Sequence, residues 1–97
     1  MIVPVDYEEV TCNTSTAVSL TAAKVTALGN VKSRVEILVT GYPVAWMQHG
    51  GTPTSATLQQ APVGAMITLH GRLAAARFQA ISIGGAAILA ATYFRRV

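Results

Sequence analysis

The chain has 97 residues, the size of a single domain. Charged residues make up 11% of it and apolar residues 52%, whereas soluble domains typically carry about 25% charged residues. The net charge of +3 comes from basic residues scattered along the sequence, so we do not expect a nucleic-acid-binding protein. A small domain with so little charge is typical of a subunit whose surface faces other protein.

Membrane and secretion signals are missing from the sequence. The least polar run, residues 80–91, is shorter than the roughly 20 residues that a spanning helix needs. The first ten residues lack the basic leader and the long apolar core of a signal peptide. We therefore expect a protein made in the cytoplasm with no membrane partner. Cys12 is the single cysteine, which predicts a buried thiol and no internal disulfide.

Alternation of apolar and polar residues predicts strands along most of the chain. In chain order, these predicted strands lie in residues 7–13, 17–22, 33–42, 65–71, 77–83 and 87–95. Residues 20–28 fit either a short helix or a bulged strand. Residues 70–80 contain strong helix formers, but the segment is so short that we expect at most one helical turn between two strands.

The connections between these strands predict the fold class. Gly84-Gly85 separates the last two strands, and we interpret it as a tight hairpin. Residues 55–64 are predicted to form a long loop between parts of the sheet. About six to eight short strands at this spacing predict an all-β fold, either a small antiparallel β-sandwich or a jelly-roll-like barrel. Residues 1–97 would form one domain, with 1–6 and 95–97 as possible extended arms.

The stretch AWMQHGGTPTSA, residues 45–56, is the one candidate for a catalytic loop. His49-Gly50-Gly51 resembles the oxyanion loop of lipase-type hydrolases, in which backbone N–H groups stabilise a developing negative charge. Such a loop needs a nucleophile on a Gly-x-Ser-x-Gly elbow, and the sequence contains none. We therefore interpret the stretch as a turn in which both glycines adopt positive φ and Pro53 adds stiffness, and we expect no enzyme activity.

The sequence also gives little support for a metal site or for acid–base catalysis. His49, His70 and Cys12 are candidate ligands, but neither histidine has a second ligand at a zinc-site spacing. Glu8 and Glu9 are neighbours and would point to opposite faces of a strand, so they do not form a carboxylate pair. We expect no metal and no cofactor. A small metal-dependent enzyme that uses both histidines is the weakest of the alternatives.

Trp46 is the only tryptophan and stands next to apolar residues, which indicates a core or interface anchor. A tryptophan can also serve as a platform for a sugar or a peptide. The alternative hypothesis is therefore a carbohydrate- or host-surface-binding β-sandwich module, with Trp46 and the loop 49–54 as its contact surface. The candidate protein-contact residues are Trp46, His49, Arg95 and Arg96.

Three segments together resemble a known family: VTCNTSTAVSLTAAKV, SRVEILVTGYPVAWMQHGGTPTSA and HGRLAAARFQAISIGGAAILAATYF. The order of these features is similar to that of small β-sandwich virion structural proteins of tailed bacteriophages and prophages, and the likeness covers about residues 7–95. In that family a strand rich in Thr and Ser leads into AVxLTAAK. An aromatic-bearing segment, a Gly-Thr-x-Pro-Thr turn and GRxxxxxFxAI follow, and the final strand closes on Tyr-Phe. This chain departs at His49, which stands at a turn position where the family has an acidic residue.

The resemblance implies a non-enzymatic subunit of a virion, made in the cytoplasm of the bacterial host. Such a subunit would stabilise the capsid or the neck through subunit–subunit contacts. A decoration or cement protein of the head is the favoured form, and a head–tail connector or tail component comes next. The implied partners are further copies of the chain and other virion proteins, namely coat, portal or neck subunits.

Overall fold

Eight strands and two short helices make up the structure, a computed structural model that describes residues 1–97. In chain order they are β1 (Ile2–Cys12), β2 (Val18–Ser19), α1 (Ala22–Thr26), β3 (Ser33–Thr40), β4 (Val44–Met47), β5 (Gln60–Ala61), β6 (Met66–His70), α2 (Arg72–Arg77), β7 (Gln79–Ser82) and β8 (Ala87–Arg96). Neither helix has the length and apolarity that crossing a membrane would require. The predicted all-β class is confirmed.

The strands form two antiparallel sheets of four strands, in the orders β1-β8-β3-β6 and β2-β7-β4-β5. β1 pairs with β8, β2 with β7, β3 with β6 and β4 with β5. The first half of the chain therefore pairs with the second half in reverse order, as in one long hairpin. Folding that hairpin over, so that β3 meets β8 and β4 meets β7, gives the eight-stranded jelly roll.

The core lies between the two sheets and follows from the alternation in the long strands. Val35, Ile37 and Val39 of β3 are fully buried, while the residues between them point to the other side of the sheet. Of all the fully buried side chains, the two largest are Tyr93 of β8 and Phe78, which follows α2. Each inward-facing row of the sheets thus fills the space between them.

Two helices form where the sequence predicts at most one helical turn. α1 occupies the ambiguous segment 20–28, and α2 has six residues. Each helix buries one side chain, Val25 and Ala75 respectively, and both side chains belong to the core cluster. Burial of these side chains stabilises helices that are too short to persist alone.

The predicted hairpin at Gly84-Gly85 is wrong. β7 belongs to one sheet and β8 to the other, so the segment crosses between sheets instead of reversing within one. The glycines are required for another reason, because a Cβ on either residue would lie 2.7 Å from a ring atom of Tyr42. Local sequence shows a turn here, but only the topology shows which strands the turn connects.

The connections divide the sandwich into two distinct ends. At the helical end, α1 and α2 lie next to each other, and the N–H of Gly71 donates to the carbonyl of Ser33. The opposite turn end is formed by residues 13–17, 41–43, 62–65 and 83–86. Its turns are joined by backbone hydrogen bonds from Ser82 to Asn13 and from Ile83 to Pro43.

Both chain termini lie in the sheet at the helical end. Ile2 is paired with Arg96, and the N–H of Val97 donates to the carbonyl of Met1 at 3.0 Å. The segments 1–6 and 95–97, for which extended arms were expected, are therefore paired with each other in this structure.

Candidate functional site

Trp46 lies on the inner side of β4, half-buried against the ring of Phe78 at a centroid distance of 6.0 Å. Its backbone is held on both sides by Gln59, whose carbonyl accepts from the Trp46 N–H at 3.0 Å. The amide Nε2 of the same glutamine donates to the Trp46 carbonyl at 2.9 Å. This geometry makes Trp46 an anchor of the core, with its ring packed against Phe78.

The loop of residues 48–59 connects β4 to β5 at the closed end of the long hairpin. Gly50 has a φ of +88°, whereas Gly51 has an ordinary negative or extended φ. The expectation that both glycines need positive φ is therefore wrong for Gly51. That residue is restricted by packing instead, because a Cβ there would lie 3.1 Å from the Sδ of Met47.

This loop lies over the outer face of the second sheet. Ala45 and Ile81 are buried although neither belongs to the core cluster between the sheets. Pro53 of the loop is also fully buried, and Gly51 contacts Met47 on the same outer face. His49 remains exposed at the start of the loop. The loop thus covers the central strands of the second sheet on the outer side, whereas Ser19 and Gln60 at its edges remain exposed.

The candidate metal ligands are not brought together. His49 follows β4 of the second sheet, His70 ends β6 of the first, and Cys12 is buried in the core. No group of three or more His, Cys, Asp or Glu side chains is close enough to hold a metal ion.

Carboxylates along β1 form structural contacts. Glu8 accepts hydrogen bonds from the buried Tyr93 hydroxyl and from both the N–H and the hydroxyl of Thr21. Burial and the bond to Glu8 hold the pKa of Tyr93 far above its ordinary value. Asp6 forms an ion pair with Lys24 at 2.9 Å, and this hydrogen bond lowers the pKa of the exposed Asp6 carboxyl. These groups attach α1 to the first strand.

The outer face of the first sheet is open to solvent, and we refer to it as the open face. Strand register places five rows of side chains on it, because outward residues of neighbouring strands lie side by side. From the turn end to the helical end, the rows contain Thr11, Ile88 and Thr40; then Glu9, Ala90, Leu38 and Met66; then Tyr7, Thr92, Glu36 and Thr68; then Pro4, Phe94, Arg34 and His70; then Ile2 and Arg96. Tyr7, Met66 and Ile88 are 50%, 53% and 42% exposed.

The open face has a small net charge. Arg34 and Glu36 neutralise each other at 2.7 Å, and the Arg34 guanidinium also lies over the ring of Phe94, 4.3 Å from its centroid. Glu9 accepts a hydrogen bond from the Tyr7 hydroxyl at 2.9 Å, which raises the pKa of Tyr7. Glu9 and Arg96, at the helical edge of the face, are exposed charges of opposite sign without an ion-pair partner. The remaining side chains are mostly apolar or threonine, and such a face suits contact with another protein.

Arg95 and Arg96 lie at the helical end together with basic residues that the sequence analysis did not single out as a group. The N–H of Arg96 donates to the carbonyl of Lys32 at 2.9 Å, and the Nη1 of Arg95 donates to the carbonyl of Ala27 at 3.3 Å. Arg72 begins α2 beside this point, after the Gly71 that binds Ser33. Sequence spacing separates these residues widely, and only the jelly-roll pairing brings them together.

Comparison with family models, with curated proteins and with solved structures found no match for this chain.

Proposed function

We propose that the chain is a non-enzymatic structural subunit of a tailed-phage virion, which stabilises the capsid or the neck by contacts between subunits. The favoured form is a decoration or cement protein on the head, followed by a head–tail connector or a tail component. Three lines of support are the sequence resemblance, the low charge and the jelly-roll topology. Jelly rolls occur in viral capsid proteins as well as in lectins and cupins, so the fold supports the proposal by analogy only.

The open face is the observation that carries the proposal. Four strands at about 4.8 Å spacing and about eight residues at 3.4 Å each give a face of roughly 500 Å². Two such faces in contact would bury about 1,000 Å², which is near the lower limit for a specific interface. The central strands of the other sheet are covered by residues 48–59, so the open face is the sheet surface that is uncovered across all four strands.

The carbohydrate-binding alternative loses its main support from the same geometry. Trp46 packs against Phe78, and residues 48–59 contain no aromatic side chain. Sugar recognition by a β-sandwich usually needs an exposed ring over which the sugar stacks. We therefore propose no second function.

The experiment is a measurement of oligomeric state on purified full-length chain, by size-exclusion chromatography with light scattering. The unaltered chain is expected to form an oligomer, and the double variant Met66→Lys/Ile88→Lys is expected to be a folded monomer. Both positions are exposed, so the lysines do not disturb the core. They place two desolvated charges in the proposed contact, which disfavours association.

Ser55→Lys/Leu58→Lys is the control matched in charge, because both residues are exposed but lie on the loop that covers the second sheet. This variant is expected to remain an oligomer. A monomeric unaltered chain, or an oligomer that Met66→Lys/Ile88→Lys leaves intact, would count against the proposed contact surface.

A further inference from the structure

We propose that the helical end of the sandwich is a second contact surface, which binds an acidic segment of a different protein that carries an apolar side chain. This inference rests on the proposed function in one respect, namely that the chain acts through protein contacts. It adds the chemistry of a partner and the residues that would bind it.

The charge distribution along the sandwich is strongly one-sided. Of the seven lysine and arginine residues, Lys24 and Arg34 are in ion pairs. The other five, which form no ion pair, are Lys32, Arg72, Arg77, Arg95 and Arg96. All five lie at the helical end. The four turns of the opposite end, 13–17, 41–43, 62–65 and 83–86, contain no charged residue.

Backbone contacts bring four of these basic residues into one cluster. Ser33 pairs with Arg95 across β3 and β8, and its carbonyl accepts from Gly71, directly before Arg72. Lys32 is bonded through its carbonyl to Arg96. Arg77, at the other end of α2, lies beside Gly50, because a Cβ on that glycine would be 4.0 Å from the Arg77 Cδ. Lys32, Arg72 and Arg96 are exposed, and Arg95 is half-buried.

A groove beside Arg72 combines apolar and polar surface. It runs between α1 and α2, has a volume of about 480 Å³, and half of its lining residues are apolar, namely Val25, Val31, Leu73 and Ala76. Leu73 is 63% exposed and Val31 is 44% exposed, so the groove offers apolar surface that the fold itself leaves uncovered. An exposed apolar side chain next to an arginine is a pattern found in protein interfaces.

A second copy of the chain does not supply the complementary charge. Asp6 is paired with Lys24 and Glu36 with Arg34. Glu8 is bound by Tyr93 and Thr21, and Glu9 is an exposed carboxylate that lies on the open face and not at an end of the sandwich. Two helical ends would also repel each other. Copies that assemble through the open face would therefore leave this end free for a different, acidic partner.

A protein fits this surface better than a nucleic acid does. Single-stranded nucleic acids need exposed aromatic rings for stacking, and the two exposed aromatic residues, Tyr7 and Tyr42, lie on the open face and at the turn end. A phosphate backbone would use the arginines but not Leu73 or Val31. Because Leu73 and Val31 are exposed in the groove, a protein is favoured as the partner over a nucleic acid.

The test uses purified full-length chain and fluorescence anisotropy. The main probe is a labelled synthetic peptide in which leucine alternates with aspartate and glutamate. The comparison probes are the same peptide with serine in place of leucine and a short DNA duplex. We expect the leucine peptide to bind most tightly, and Leu73→Ser to weaken its binding to the level of the serine peptide.

A matched pair of double variants distinguishes the effect of where the charge lies from the effect of the net charge of the chain. Lys32→Gln/Arg72→Gln removes two charges next to the groove, and Thr14→Glu/Thr16→Glu lowers the net charge by the same amount at the turn end. We expect the first pair to weaken peptide binding about tenfold relative to the second. Circular dichroism of both variants checks that the fold is retained.

Three outcomes would overturn the inference: no measurable binding of the leucine peptide, tighter binding of the DNA duplex, or equal weakening by the two double variants. None of these bears on whether the chain is in a virion or forms an oligomer through the open face. Conversely, a chain that is absent from particles but binds the leucine peptide would refute the proposed function and not the basic contact surface.

Discussion

The ring of Tyr42 lies against Gly84 so closely that a Cβ on this glycine would be 2.7 Å from the ring carbon Cδ1. Gly85 lies by the opposite edge of the same ring, where a Cβ would be 2.7 Å from Cε2 and Cζ. Tyr42 follows β3, and the two glycines carry the chain from one sheet to the other. The aromatic ring thus covers this crossing between the sheets.

Replacing Gly84 by alanine should reduce stability only while the ring is present. We expect Gly84→Ala to lower the free energy of unfolding by about 1 kcal/mol, because Tyr42 must rotate away from the new methyl group. In a Tyr42→Ala background the same change should be neutral or stabilising by about 0.5 kcal/mol, because φ at Gly84 is compatible with alanine. Urea unfolding of the four proteins measures both values, and equal costs in the two backgrounds would contradict the contact.

Glu8 and Tyr93 should be energetically coupled. Tyr93 is fully buried, so Glu8→Ala leaves its hydroxyl without an acceptor, at a cost of about 2 kcal/mol in addition to the lost Thr21 bonds. Tyr93→Phe removes the hydroxyl itself and should cost about 1 kcal/mol. A double-mutant cycle by chemical denaturation should therefore give a coupling of at least about 1 kcal/mol, and simple additivity would disprove the link.

Because the Cys12 thiol is buried, we expect the protein to lose stability at alkaline pH. Burial raises its pKa from 9.0 to about 11. As the pH rises above 9, the unfolded chain releases this proton before the folded chain does, so the free energy of unfolding falls. Between pH 9 and pH 10 this amounts to about 1 kcal/mol.

Cys12→Ala isolates the contribution of the thiol. The tyrosines titrate in both the variant and the unaltered chain, so their effect cancels in the comparison. The variant should be less stable than the unaltered chain at pH 8 because of the small cavity, and the difference should shrink by about 1 kcal/mol by pH 10. Thermal or urea unfolding across this range measures it. Parallel pH profiles for the two proteins would show that the thiol is not protected by folding.

Gly50 and Gly51 should differ in their tolerance of alanine. At Gly50 the nearest atom to an added Cβ is 4.0 Å away, so the cost arises only from a φ of +88° and should be about 1–2 kcal/mol. At Gly51 the obstacle is the flexible thioether of Met47, which moves aside for less than about 0.5 kcal/mol. Urea unfolding of the two variants tests this order, and a costlier Gly51→Ala would reverse our interpretation of the loop.

The regular strands were predictable because their signal is local. Alternation in β3 and β6 marks which residues enter the core, and the structure places them as the alternation predicts. The helices were harder to predict from the sequence, because α1 and α2 are stabilised by the burial of Val25 and Ala75 and not by the helix propensity of their residues. The crossing at Gly84-Gly85 was misassigned because a turn between sheets has the same residues as a turn within one.

The contact surfaces depend on long-range pairing and could not be seen in the sequence. Met66 and Ile88 share the open face only because β6 and β8 both pair with β3. Lys32, Arg72 and Arg96 meet only because the last strand returns to the beginning of β3. These basic residues are scattered along the chain, but the fold brings them together in space.

The most direct test of the central claim is the protein composition of purified phage particles from a host strain that carries the gene. Quantitative mass spectrometry is expected to detect the chain in washed particles, at a constant ratio to coat or portal protein from one preparation to the next. Particles assembled with the Met66→Lys/Ile88→Lys variant should contain less of it. Intact particles that lack the chain entirely would contradict its assignment as a virion subunit.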